Sequence, residues 1–381
     1  MASGKTYFST VPRRSIALFL LGVFFLFGTV GLATDMANMG HQPTLRFVLT
    51  TVVISLFAIA YAIAGFLLRG QAWKAIVPIF IVHFFVMILL NWWLPMKPWA
   101  NQLGPEEFAR LRDRLSWEAI AIIVTMGMGY ACFVHVSVSE GRRYFRVHAE
   151  MALAQEIHHV LVPAIEARMG GFEFYGLSAA SGEVGGDLID LAGPEDQCVA
   201  YVADVSGHGV APGVVMGMVK SASRMLLTTG GNSGQLMPKL NEVLYPLKKP
   251  DMFVTFCFVA KNGNGLRIGL AGHPSILQYL AKTGEVRPWE CLNMPLGILP
   301  EGEFQTSEIA AEPGDLFALY TDGLLETANK EGEEFGVKRL EAELRRNGKE
   351  PLQTICRSLQ ESVAKHGAQF DDQSLLLIRK L

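Results

Sequence analysis

The sequence predicts an α-helical membrane domain followed by an α+β domain, with a helical linker between them. Three observations lead there. Four long apolar stretches fill the first 138 residues, the charged residues crowd into the remainder, and beyond Phe172 short β-like runs outnumber helices. The formal net charge of -3 and the 18% of charged residues look ordinary for 381 residues, so the division matters more than the mean.

The stretches are Ile16–Thr34, Phe47–Leu68, Trp73–Leu94 and Trp117–Val138. Each approaches the ~20 apolar residues that a helix needs to cross a bilayer. The first is read as a retained span, because no small-residue cleavage site ends it. With the N-terminus inside, the inner side holds Lys5, Arg13, Arg14, Arg69, Lys74, Arg142, Arg143 and Arg146. Arg46, Lys97, Arg110, Arg112 and Arg114 lie outside. That bias predicts a bacterial-type inner (cytoplasmic) membrane protein whose residues 139–381 face the cytoplasm. Cys132, Cys198, Cys257, Cys291 and Cys356 are odd in number and contain no C-x-x-C pair, which suits a reducing compartment. His83 and His135 are the polar residues within the spans; their positions differ by ~10 Å in depth, so they do not form a shared haem pair. The outside loop Pro95–Ser116, with Trp99 and the charged run Glu106–Arg114, reads either as a short amphipathic helix at the headgroup level or as a compact binding site for an external ligand.

Residues 139–170 read as the linker. Helix formers dominate it, Gly170-Gly171 stops it, and Tyr144, Val147, Met151, Ala154, His158, Leu161 and Ile165 follow a 3,4 spacing. Such a seam predicts either a homodimeric coiled coil or a helix packed on its own domain, with Pro163 bending or ending it. From residue 171 to 381 the candidate strands are Phe172–Leu177, Asp187–Leu191, Cys198–Asp204, Phe253–Ala260, Leu266–Ala271, Ile276–Leu280, Leu316–Thr321 and Ser374–Arg379. Helices are expected at Ala211–Thr228, Ser233–Leu247, Val337–Arg346 and Pro351–His366. They do not alternate with the strands, which argues against a doubly wound parallel sheet.

Four aspartates share one context, the end of an apolar strand beside a turn residue. They stand in Gly185-Gly186-Asp187, in Ala203-Asp204-Val205-Ser206-Gly207-His208-Gly209, in Tyr320-Thr321-Asp322-Gly323 and in Phe370-Asp371-Asp372. Carboxylates on rigid strand ends can converge, and a divalent cation relieves the repulsion between them. Hard oxygen donors without a Cys/His cluster favour Mg²⁺ or Mn²⁺ over Zn²⁺. A Gly-Gly-Asp turn also occurs in diguanylate cyclases, but Leu188 and Ile189 replace the acidic and aromatic residues expected there.

Taken in order, these motifs resemble the SpoIIE/RsbU-like branch of the PPM-type (type 2C) serine/threonine phosphatases. Further matches are Met252-Phe253-Val254-Thr255, Ala271-Gly272-His273-Pro274, Pro295-Leu296-Gly297 and Asp371-Asp372-Gln373-Ser374, within a stretch from about Met151 to Lys380. The resemblance implies a PPM-type α/β/β/α sandwich of two antiparallel sheets flanked by helices. It implies two Mn²⁺ or Mg²⁺ ions held by Asp187, Asp204, Asp322, Asp371 and the carbonyl of Val205, with Asp190 and Asp372 orienting waters or ligands. Hydrolysis of phosphoserine or phosphothreonine by a metal-activated water would follow. The implied substrate is a phosphorylated regulatory protein of the STAS type, an anti-sigma-factor antagonist; the other partners are membrane lipid and a second copy, and no nucleic acid is expected. Ser206 stands where some type 2C enzymes carry a histidine. His208, two residues on, is left with two roles, proton donor to the leaving group or structural residue at a helix start. The competing class is a catalytically weak phosphatase-fold scaffold at the membrane.

Overall fold

The computed structural model describes residues 11–68, 71–96, 104–207, 209–263 and 265–381. Lys5, Arg69, Lys97, Trp99 and His208 fall outside these ranges. The chain divides into two units, Met1–Val147 and His148–Leu381.

The first unit contains helices α1 (Arg13–Ala37), α2 (Thr44–Leu68) and α3 (Trp73–Trp93), and most of α4 (Pro105–Leu161). All four are long and apolar enough to cross a membrane. Small residues let α1 and α2 approach closely: Gly31 faces Thr51 and Gly28 faces Ser55. Helix α3 buries none of its side chains within the unit, as expected of a segment whose apolar surface meets lipid. The run Glu106–Arg114 is not a separate interfacial helix but the opening turns of α4, with Glu106 and Glu107 at the end of the dipole that favours acids.

A second difference lies in the linker. Helix α4 runs unbroken for 57 residues and stops at Leu161, just ahead of Pro163. Residues Ile165–Met169, expected to be helical, form strand β1 and pair antiparallel with β2 (Phe172–Ala179) through the Gly170-Gly171 turn. Both glycines take positive φ, which a helix former there would resist. The helix-forming character of Glu166-Ala167-Arg168 gave way to a pairing partner. The 3,4 seam does mark the buried side of the helix end. His158 is buried, and Leu161 and Val162 pack into the core of the second unit.

That second unit holds two antiparallel sheets. One has the order β1-β2-β11-β10-β7-β8, the other β3-β4-β5-β6-β9. The strands are β3 (Leu188–Ala192), β4 (Val199–Val205), β5 (Val254–Asn262), β6 (Gly265–Ala271), β7 (Ile276–Tyr279), β8 (Val286–Trp289), β9 (Thr306–Ile309), β10 (Leu316–Tyr320) and β11 (Gln373–Lys380). Helices α5 (Val210–Thr228) and α6 (Leu236–Leu247) cover the β3–β4 side, while α8 (Gly336–Asn347) and α9 (Leu352–His366) cover the other sheet. The short α7 (Asp322–Leu325) follows β10 directly. The result is the α/β/β/α sandwich that the resemblance implied.

Strand β10 throughout, and β11 from Leu375 to Ile378, are apolar on successive residues because each face meets its own core. Phe317, Leu319, Leu376 and Ile378 enter the core between the sheets. Leu316, Ala318, Tyr320, Leu375 and Leu377 enter the core beneath α8 and α9. Three short strands were not anticipated from sequence: β1, β8 and β9. Pro288 sits in β8, and the polar β9 lies at a sheet edge, so neither carries the apolar run that marks a central strand.

Candidate metal centre

The four aspartates come from strand ends at one edge of the sandwich. Asp187 immediately precedes β3 and Asp204 is the penultimate residue of β4; the register Leu188↔Ala203 brings them opposite one another one step further on. Asp322 follows β10 at the start of α7, and Asp371 and Asp372 precede β11; there the register ends with Tyr320↔Leu375. Each sheet therefore contributes an antiparallel pair whose loops open the same way.

Thr321 joins the two sheets. Its hydroxyl donates to Asp187 Oδ2 at 2.7 Å and accepts from the Ser374 amide at 3.0 Å. Both Thr321 and Asp187 are buried. Asp372 has a different task from Asp371. Its Oδ1 accepts from the amide and hydroxyl of Ser181 at 2.7 and 2.9 Å, and its Oδ2 accepts from the Gly186 amide at 2.7 Å. With one oxygen on Ser181 and the other on Gly186, Asp372 orients the loop that carries Asp187. The glycines are obligatory here: a β-carbon on Gly185 would stand 2.5 Å from Asp372 Oδ2, and one on Gly186 would stand 2.7 Å from the Val205 carbonyl oxygen. Asp371 is exposed, and its Oδ1 accepts from the Asp372 amide at 2.8 Å.

Burial first, then the charges of Asp322, Asp371 and Asp372, push the pKa of Asp204 up to about 7. Asp187 is held well above the usual carboxylate range by burial and then by Asp204, although hydrogen bonds from Ser374 and Thr321 oppose the shift. Burial and Asp371 raise Asp322 as well. No lysine or arginine forms an ion pair with these carboxylates among the described residues. As the side chains stand, no three acidic, histidine or cysteine groups among the described residues close on a single point. The carboxylates are gathered without being folded about an ion. A repelling set of hard oxygens with no cationic side chain, beside a glycine-exposed carbonyl, suits a divalent cation.

His208 lies outside the described residues. Ser206 pins the loop instead, its hydroxyl accepting from the Phe253 amide at 2.9 Å and its own amide donating to the Phe253 carbonyl at 3.0 Å. His273 bonds Thr255 through Nδ1 at 2.8 Å, and burial lowers its pKa to about 3, so the ring is neutral. Asp190 does not orient a metal ligand. Its carboxylate is filled by Tyr201 at 2.7 Å, by Arg224 at 2.7 and 2.8 Å and by Lys220 at 3.3 Å, which fixes α5 to β3. Two residues that sequence reasoning missed are Thr321 and Ser181. Thr321 adjoins the Asp-Gly motif, but nothing in the local pattern announces a contact across the sheets.

Two stacked antiparallel sheets with helices outside, and acidic strand ends at one edge, define the class of metal-dependent PP2C-type phosphatase domains. The SiaA-PP2C domain of Pseudomonas aeruginosa superposes with a TM-score of 0.54 at 19% identity, over 62% of this chain and 98% of that one. The RsbU and RsbW domains of a Mycobacterium tuberculosis protein superpose at 0.51 with 23% identity, over 57% of this chain and 62% of that one. In sequence, residues 194–381 match the family model of stage II sporulation protein E (SpoIIE). The phosphoserine phosphatase RsbU of Bacillus subtilis (strain 168) is 23% identical over 251 residues, 62% of this chain and 74% of that protein. Residues 194–381 thus carry a SpoIIE-like, PPM-type phosphatase domain similar to RsbU.

Proposed function

We propose that this protein is a membrane-anchored, metal-dependent serine/threonine phosphatase, with Asp187, Asp204, Asp322, Asp371 and the Val205 carbonyl holding two Mn²⁺ or Mg²⁺ ions. The observation that carries the reading is the convergence of carboxylates from both sheets on one edge of the sandwich, with no lysine or arginine paired to them among the described residues. When bound, the ions would supply an activated water and positive charge for the phosphoryl oxygens. The chain's own part is positional. Asp372 sets the Gly-Gly turn, Thr321 holds Asp187 against the opposite sheet, and Asp187 and Asp204 would serve as ligands in their deprotonated form. His208 remains a candidate proton donor to the leaving group.

The relative RsbU is named a phosphoserine phosphatase, which supports a phosphoserine or phosphothreonine substrate on a regulatory protein, with a STAS-type anti-sigma-factor antagonist as the specific candidate. The four apolar helices support anchoring in an inner membrane with the phosphatase unit on the cytoplasmic side. In this reading residues 1–138 sense or anchor, the end of α4 within 139–170 transmits, and residues 171–381 catalyse. The exposed Tyr144 and Val147 on the seam support dimerisation through that helix.

The deciding assay uses the full chain in lipid nanodiscs with a phosphoserine protein and Mn²⁺. Phosphate release that a chelator and Asp204→Asn both abolish supports the reading. Release indifferent to both removes the metal mechanism, and no release at all by metal-loaded protein from any phosphoserine or aryl phosphate substrate favours the scaffold.

A further inference from the structure

The membrane unit contains a charge cluster that phosphatase chemistry leaves unused. Asp35, close to the end of α1, is fully buried, and Glu118 on α4 is only 6% exposed. Arg114, one turn before Glu118, serves both: its NH2 group pairs with Asp35, and its Nε donates to Glu118 Oε1 at 2.9 Å. The other terminal nitrogen donates to the carbonyls of Gly40 and Gln42 at 3.2 and 3.4 Å. One cation thus faces two buried carboxylates. Moreover, Asp35 Oδ1 and Glu118 Oε2 are both buried without any hydrogen-bond partner.

Among the described residues, neighbouring charges do not resolve the imbalance. Arg46 on α2 is committed to the Leu94 carbonyl and the Asn91 side chain. The His41 ring bonds the Asn38 and Met39 carbonyls, and Arg110 and Arg112 pair with Glu106 and Asp113 at the surface. A buried excess charge with unsatisfied oxygens is strongly unfavourable. One change cures both faults. A single proton on one carboxyl donates to the other's free oxygen, so both orphan atoms gain a partner and the cluster becomes neutral. Arg114 holds both carboxyl groups on one guanidinium, and each keeps one buried oxygen without a hydrogen-bond partner.

We propose that Asp35 and Glu118, clamped by Arg114, form a proton-binding site at the end of the membrane spans opposite the N-terminus of α1. The proton exchanges with water. Bound, it ties α1 to α4; released, it leaves two like charges against one arginine at the same contact.

The test is infrared spectroscopy of the full-length protein in lipid nanodiscs, with Mn²⁺ present so that acids of the phosphatase unit are ionised. The wild type should show a protonated carboxylic acid band that shifts in D₂O. Asp35→Asn and Glu118→Gln should each lose one carboxyl equivalent of it, and the surface variant Asp113→Asn should lose none. In the first two variants a side-chain amide replaces the missing donor, so the fold is retained. The thermal midpoint of the wild type should fall as the buffer becomes alkaline, and that of Glu118→Gln should not follow it. A wild-type spectrum identical to both variants overturns the proposal. So does a wild type that shows no acid band and is stabilised by Na⁺ or Ca²⁺, which would make the pair a cation site.

Discussion

Asp204 stands where burial and three other carboxylates act together, and its proton is the point at which the site responds to pH. Its pKa rises from 3.8 to about 7, so the metal-free folded protein holds a proton that the unfolded chain releases. The stabilising contribution of this group is complete below pH 3.8 and is lost as pH rises through about 7. Two outcomes follow. The apparent Mn²⁺ affinity should increase as pH rises through that range, measured by isothermal titration, because the ion and the proton compete for one carboxylate. Without metal, Asp204→Asn should be more stable than the wild type in alkaline buffer while lacking turnover; equal midpoints in a melting series would contradict the assigned burial. Thr321→Val removes the bond to Asp187 with little change of shape. It should cost about 1–3 kcal/mol in equilibrium denaturation and weaken Mn²⁺ binding about 10–100-fold. The aspartates themselves were legible in the sequence because strand ends and glycines advertise turns. Thr321 and Ser181 were not, since their partners lie 134 and 191 residues away.

At the scale of elements, the bonds of Asp190 explain how α5 is held. Lys220 donates to the Leu161 carbonyl at 2.5 Å and to Asp190, so the last carbonyl of α4, strand β3 and helix α5 share one buried ammonium group. Asp190→Ala should destabilise the phosphatase unit by about 3–5 kcal/mol, because Lys220 would remain buried without its counter-ion. Denaturant midpoints of the variant beside Asp190→Asn would measure it, and a loss below that range would mean that water reaches Lys220. The central strands and all four expected helices of the phosphatase unit could be read because their apolar faces are continuous. The first strand could not. Its residues favour a helix, and only the glycine turn and the waiting edge of β2 decide otherwise.

For the whole molecule, the division after Val147 and the two cores of the C-terminal unit predict that residues 148–381 fold without the membrane helices. That fragment should be soluble and should hydrolyse aryl phosphate with Mn²⁺. A fragment beginning at Phe172 should aggregate, since it lacks Val162 and Ile165 of the core and uncovers the edge of β2. Sedimentation and turnover of the pair test the boundary. Strand β10 adds a further constraint. Its residues are dealt alternately to two cores, so adding or removing one residue inside it would exchange the contents of both at once and carry Asp322 out of step with Asp371. Evolution can therefore rewrite the side chains of that strand within their size limits but cannot change its length; the distance between the cores and the metal edge is counted in residues, and β10 is where the count is kept.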